Sequence, residues 1–203
     1  WGDSKKYTHG AIINAELAEQ FYPDWTCRFY VGKTVPDDIL LKLIAKKNTE
    51  VFIMNTEGNW EGMFWRFYAA SDPEVGLMIS RDCDSRLTER ESLAVKEWEN
   101  SDRMFHIMRD HPHHAIEILG GMWGCKYPQL KNMKELILSY KKGDFWQVDQ
   151  NFLKEKIYPL VSNTCFVHDE FFEKKNFPTK RNGVEFVGQV FDENDKTVEE
   201  HLE

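Results

Sequence analysis

The sequence has no Cys-x-x-Cys pair, no long apolar run and no patch of clustered basic charge. Each absence removes a class of protein. Its four cysteines, Cys27, Cys83, Cys125 and Cys165, are widely spaced in apolar or strand-like contexts. A structural zinc site draws on closely spaced thiols, so these read as reduced thiols of an intracellular protein. No stretch approaches the ~20 apolar residues that span a bilayer, and no signal-peptide core is visible. The expected setting is therefore cytoplasmic, with no transmembrane segment. Lys and Arg are scattered or mixed with acids, as at Lys141-Lys142 and Lys174-Lys175, and the formal net charge is −8. A nucleic-acid groove gathers its cations on one face, so nucleic acid is not an expected partner. An acidic site holding a divalent cation is compatible with this charge. The chain opens on Trp1 rather than Met, and the closing Leu202-Glu203 reads as a remnant of expression.

What is present fits one globular domain. The 203 residues are enough to bury a real core, and 41% hydrophobic content argues against disorder. Aromatic residues reach 14%; much of this must be core, but Trp and Tyr in excess also suit a pocket that stacks on sugar or base rings. Helical periodicity is expected over 9–22, 36–47, 62–70, 88–100, 130–141 and 149–158, the last stopped by Pro159. Strands are expected over 26–31, 50–54, 75–80, 104–108 and 164–167. Thr88 and Glu91 form a capping-box pattern. The β/α rhythm predicts a mostly parallel central sheet flanked by helices. The tail after Thr197 is charged and expected to fray.

The acids Asp82 and Asp84 directly follow the 75–80 strand, where α/β sheets bind ligands. Two carboxylates at i and i+2 can grip one cation, and such an ion can bridge the phosphates of a nucleoside diphosphate. Arg81 and Arg86 flank them and offer charge-assisted bonds to phosphate. The plain alternative is a polar loop carrying surface ion pairs. Arg66 lies among aromatics, either snorkelling to solvent or binding an anion. Asp149 opens a helix, as a cap or as a working carboxylate. The segment 109–114 carries three histidines, but Pro112 breaks their spacing and no cysteine accompanies them, which disfavours zinc. Gly120-Gly121-Met122-Trp123-Gly124 lacks the Lys and Ser/Thr of a phosphate-binding loop.

The run Met78-Ile79-Ser80-Arg81-Asp82-Cys83-Asp84-Ser85-Arg86 resembles the strand and Asp-x-Asp motif of GT-A glycosyltransferases. More narrowly it resembles a compact group with an Arg-Asp-x-Asp-Ser-Arg signature, found in bacteria and large algal viruses. The resemblance extends over 63–67, 106–112, 120–124 and Asp149-Gln150. It implies a nucleotide-diphospho-sugar transferase fold, Rossmann-like, in a single domain over 1–203, with a nucleotide-sugar half at 1–86 and an acceptor half at 87–203. It implies a metal ion, Mn²⁺ or Mg²⁺, held by Asp82, Asp84 and a late His168; imidazole with carboxylates suits Mn²⁺ better. His168 as a packing residue is the alternative. The resemblance places Tyr7, Gly10, Arg66, Arg81, Asp82, Cys83, Asp84, Arg86, Gly121, Trp123 and Gln150 at the donor. Trp123 is expected either to stack on a sugar or to fill the core. Asp149 is the expected catalytic carboxylate, with Asp110 as its rival. If the chain is clipped at Trp1, much of the strand expected ahead of Tyr7, Thr8 and Gly10 is missing.

The implied reaction is transfer from a nucleotide sugar, a UDP-sugar by default, to a glycan or glycoconjugate acceptor. Two other classes share features of the sequence. A metal-dependent nucleotidyltransferase or phosphohydrolase also uses clustered acids, and a non-catalytic carbohydrate-binding module would use the aromatics alone.

Overall fold

A computed structural model describes residues 1–198, so Leu202-Glu203 and most of the tail after Thr197 lie outside the described residues. Helix α1, Lys5–Phe21, buries Gly10, Ala11, Asn14, Ala15 and Ala18. That i, i+4 set of mostly small side chains brings its backbone close to the acidic loop. Strand β1, Cys27–Val31, helix α2, Asp37–Ile44, and strand β2, Thr49–Ile53, follow. β1 and β2 pair in parallel, as a β/α/β unit should.

The helix expected over 62–70 forms, but as a 3-10 helix, Trp60–Ser71. Its buried residues explain this. Phe64, Phe67 and Ala70 recur every three residues and all enter the main core, and three residues per turn aligns them on one face. Asn59 accepts from the Glu61 amide and starts it.

Strand β3, Leu77–Ser80, delivers the chain to the acidic loop. Helix α3, Glu89–Glu99, starts at Thr88, whose hydroxyl accepts from the Glu91 amide at 3.2 Å. The box is half made, because the Glu91 carboxylate turns to Tyr22 and Arg81 instead. Strand β4, Phe105–Arg109, is wholly buried. Strand β5, Trp123–Lys126, is not among the strands expected from the sequence. Helix α4, Met133–Ser139, precedes α5, Val148–Phe152, a π-helical turn, Leu153–Ile157, and α6, Tyr158–Val161. Pro159 therefore does not end the helical path. It sits in the first turn of α6, after the wide π turn, where its missing N–H costs little. Strand β6, Cys165–Asp169, closes the order.

Among the described residues, the six strands form two sheets, β1-β2 and β3-β5-β4-β6. The second sheet is mixed. β4 and β6 are parallel, whereas β5 runs antiparallel to both β3 and β4. The expectation of one mostly parallel sheet is thus corrected to an α/β fold with a parallel pair and a mixed four-stranded sheet. The insertion of β5 depends on Gly124, where a Cβ would lie 2.7 Å from the Met78 carbonyl.

One face of the large sheet carries Met78, Phe105, Ile107, Trp123, Cys125 and Val167 into the main core, against the 3-10 helix and α4–α6. On the other, Leu77, Ile79 and Phe166 meet α1 and α3 through Ala18, Tyr22, Val95 and Trp98. The small sheet joins the rest through Arg28–Asp72 at 2.7 Å and an edge-on Tyr30–Tyr68 contact. None of the described helices is long and apolar enough to cross a membrane.

The three histidines after β4 pack into a hollow with Phe186, Gly188 and Val190. The His114 and His111 Nδ1 atoms accept backbone N–H bonds from Asp110 and His113. No three metal-ligating side chains gather here or elsewhere among the described residues. Burial, then the charges of His111, His113 and Arg181, push His114 down to about 3, against a weaker opposing pull from Asp169. Folded His114 is therefore neutral where the unfolded chain, with an ordinary value of ~6.5, takes up a proton. Its stabilising effect is complete above pH ~6.5 and is lost as pH falls towards about 3, by roughly 1.4 kcal/mol per pH unit. Denaturant midpoints between pH 6.5 and 4 should fall less steeply for His114→Gln than for the parent. Equal slopes would remove His114 from the acid response.

Candidate active site

The site grows from the end of β3. The 3-10 helix presents Arg66 towards the acidic loop, and α5 presents Asp149 from the opposite side. The Arg66 guanidinium bonds Asp82 through Nη1 and Asp149 through Nη2, the latter at 2.7 Å. One cation thus bridges two carboxylates that lie 67 residues apart in sequence. Burial works against the Arg66 charge, but the two carboxylates outweigh it and raise its pKa. The Arg66 Nε atom is buried and has no partner among the described residues.

Gly120-Gly121 forms the floor. A Cβ on Gly121 would stand 2.0 Å from Asp82 Oδ2, and one on Gly120 would stand 2.5 Å from Arg66 Nη2. Only glycine leaves room for both side chains against this backbone. Gln150 fixes the floor in place: its Oε1 accepts from the Gly120 amide at 2.9 Å and its amide donates to the Ile118 carbonyl. Asp149 makes no cap at α5; its carboxylate, 3% exposed, faces Arg66 instead. Asp149 thus stands in the first turn of α5 and pairs with Arg66.

Helix α1 closes the other flank. Lys6 pairs with Asp84 at 2.8 Å. Burial opposes the Lys6 charge, but Asp84 overrides it and raises its pKa. Tyr7 is shifted up by burial and then by Asp84, which places it at the same loop. Gly10 meets the loop backbone directly, since a Cβ there would fall 1.9 Å from the Cys83 carbonyl. Asn14 donates to the Ser85 carbonyl and accepts from the Leu87 amide, pinning the loop to α1. Cys83 is pushed up to about 11 by burial and its acidic neighbours, so its thiol stays neutral.

The structure therefore brings together Tyr7, Gly10, Arg66, Asp82, Cys83, Asp84, Gly121, Asp149 and Gln150. Arg86 stays at the loop, donating to the Cys83 carbonyl at 3.2 Å, and four other candidates are engaged elsewhere. Arg81 turns under the sheet to Glu91 at 2.5 Å and to the Ser80 carbonyl. Arg86 is buried, bonds the Ser85 carbonyl and Asp195, and lies over the Phe191 ring. Trp123 is fully buried, stacked on Phe105 and edge-on to Phe67, so it is core and not a sugar platform. Asp110 is 0% exposed and saturated: Arg90 grips both its oxygens and the Val187 amide donates to one. It ties the C-terminal segment to α3. His168 bonds His106 at 2.8 Å through Nδ1 and Glu97 at 3.1 Å through Nε2. It packs on the α3 face of the sheet and does not join the two aspartates.

Those aspartates also do not make a cation site as placed. Asp82 is drawn to Arg66 and Asp84 to Lys6, so each carboxylate already has its own counter-charge. Reasoning from sequence missed Lys6 and Gly120. The Lys5-Lys6 pair ahead of Tyr7 was a weak signal for the first, and the double glycine for the second.

Fold and cluster together define an α/β protein with a charged centre at the carboxyl end of a strand. No family model matches the chain, and no curated protein matches it. Among solved structures it is similar to one titled "Crystal structure of a glycosyltransferase involved in the glycosylation of the major capsid of PBCV-1". The identity is 12% and the TM-score 0.48, over 75% of this chain and 90% of that one. So distant a likeness fixes neither family nor activity.

Proposed function

We propose that this protein is a glycosyltransferase that takes a sugar from a nucleotide-diphosphate donor and passes it to a glycan or glycoconjugate hydroxyl. The carrying observation is the Arg66 bridge between Asp82 and Asp149 on the Gly120-Gly121 floor. A UDP-sugar is the default donor that the resemblance around Asp82 implies.

In this reading Arg66 and Lys6 supply the positive charge that a leaving diphosphate needs. Both now hold carboxylates, Arg66 those of Asp82 and Asp149 and Lys6 that of Asp84, and would turn part of their hydrogen bonding to the diphosphate. The acceptor oxygen bonds to the anomeric carbon as the bond to the diphosphate oxygen breaks. The diphosphate leaves with the electron pair, and Asp149 takes the hydroxyl proton. Gln150 keeps the floor at fixed distance from both. Mn²⁺ or Mg²⁺ enters the proposal through the sequence motif alone, because the side chains as arranged do not form its site.

A thermal-shift screen of UDP-glucose, UDP-galactose and GDP-mannose, with and without Mn²⁺, tests this. A donor at a hundred times its Kd stabilises the native state by about 2.7 kcal/mol, which is roughly 5–10 °C for a chain of this size. The expected result is such a shift with one donor. A shift with nucleoside triphosphates and none with any nucleotide sugar would replace glycosyl transfer by nucleotidyl chemistry.

A further inference from the structure

We propose that a hollow bordering the charged centre is an acceptor subsite, holding an uncharged sugar ring next to the one that reacts. This rests on the transferase reading and assigns part of its second substrate. The hollow measures about 310 Å³, at the lower end of what ligand pockets occupy. Arg109, Glu117, Lys154, Tyr158, Phe172 and Glu173 line it. Its walls come from the end of β4, the segments after β4 and β6, and the π turn with α6. Two stretches of chain tie it to the reaction floor. Lys154 follows Gln150 by four residues, which is about 6 Å along a helix. Glu117 precedes Gly120 by three residues, at most about 10 Å of extended chain. The hollow therefore borders the Asp149 centre without containing it, which suits a neighbouring ring of the same glycan.

The lining is held firmly from below. The Arg109 guanidinium is buried and fixed in three directions: to Asp169 at 2.7 Å, to the Glu117 carbonyl at 2.6 Å and to the Glu173 carboxylate. Asp169 in turn accepts from the Phe171 and Phe172 amides. A guanidinium has five N–H donors, so two are left without a partner among the described residues. Lys154 bonds Glu117 at 3.1 Å, and Lys175 bonds Glu173 at 2.7 Å. Arg109, Lys154 and Lys175 are thus matched by Asp169, Glu117 and Glu173, and no net charge is left to draw in an ion. What the hollow offers instead is hydroxyl chemistry, with donors on Arg109 and Lys154 and acceptors on Glu117 and Glu173. Charge on these groups strengthens each bond. It also offers apolar faces. Phe172 is 48% exposed at its edge. Burial raises the Tyr158 hydroxyl, Arg109 pulls it down, and Cys165, Glu173 and Glu117 add to the rise, so the phenol stands among the same charges. A pyranose has this double character, C–H groups on its face for an aromatic ring and hydroxyls around its rim.

A printed array of mono- to hexasaccharides, probed with the labelled protein in the presence of UDP and Mn²⁺, tests the assignment. The parent should retain oligosaccharides more strongly than the monosaccharides that compose them. Phe172→Ala removes an exposed ring and should lower that retention about tenfold, the worth of one aromatic contact. Ala115→Trp, which fills the hollow from an exposed position, is the second variant and should act likewise. Stabilisation by nucleotide sugar, read by thermal shift, should be the same in both variants as in the parent. Equal retention by parent and variants, or no oligosaccharide retained by the parent, overturns the subsite and leaves the transferase reading standing on its donor shift. A parent that no nucleotide sugar stabilises overturns the transferase reading, and the acceptor role of the hollow with it.

Discussion

Replacing Arg66 with Met is expected to lower the melting temperature by about 10 °C and to abolish transfer in the same step. Asp149, at 3% exposure, loses its charge partner and has no water to replace it. Breaking a buried pair from one side costs about 3–5 kcal/mol. Asp82 is 43% exposed and contributes little to that figure. For a chain of this length each kcal/mol is worth roughly 2–4 °C. Calorimetry on the single variant and on Arg66→Met/Asp149→Asn forms the check. The double variant should regain much of the lost stability, since it no longer buries an unpaired carboxylate, but no activity. A single variant melting within a degree or two of the parent would show that Arg66 does not hold Asp149.

Asp82→Ala should behave in the opposite sense towards stability. Its carboxylate is half in solvent, and Arg66 keeps Asp149 when Asp82 is removed. The fold is expected to stay, with the melting temperature unchanged within a few degrees. Transfer should fall by about 10²–10³-fold in kcat/KM, the usual range for deleting one preorganised charged group of a reacting centre. The assay uses the donor that the thermal-shift screen returns. Activity at the parent level would remove Asp82, and with it the acidic loop, from the reaction.

The order of helices and strands was largely legible because apolar periodicity carries it. The failures are local and physical. Over 64–70, periods of 3.0 and 3.6 differ by too little for the sequence to separate a 3-10 from an α-helix. β5 offers four residues, one a glycine, and shows no alternation to mark it. Its antiparallel course also erases the parallel sheet that the β/α rhythm implied. At the site, Arg66, Asp82, Asp149 and Gln150 stood out because charge or amide groups sat beside strand ends, aromatics or a helix start. Arg81 and Arg86 looked equivalent to them in sequence. Their fate was set by Glu91 and by Asp195, the latter more than a hundred residues away, and no local pattern reports such a partner. His168 and Asp110 were drawn into buried networks in the same way.

Among the described residues the β1–β2 pair belongs to no larger sheet, and two strands alone are marginal in water. Leu41, Ile44, Phe52 and Ile53 leave much of its apolar surface uncovered. This corner therefore draws little of its cohesion from the main core. Amide exchange is therefore expected to be faster over Cys27–Ile53 than over β3–β6, and equal protection would show that the corner opens only with the whole domain. The charged centre, built on β3, the 3-10 helix and α5, can stay assembled while that corner breathes.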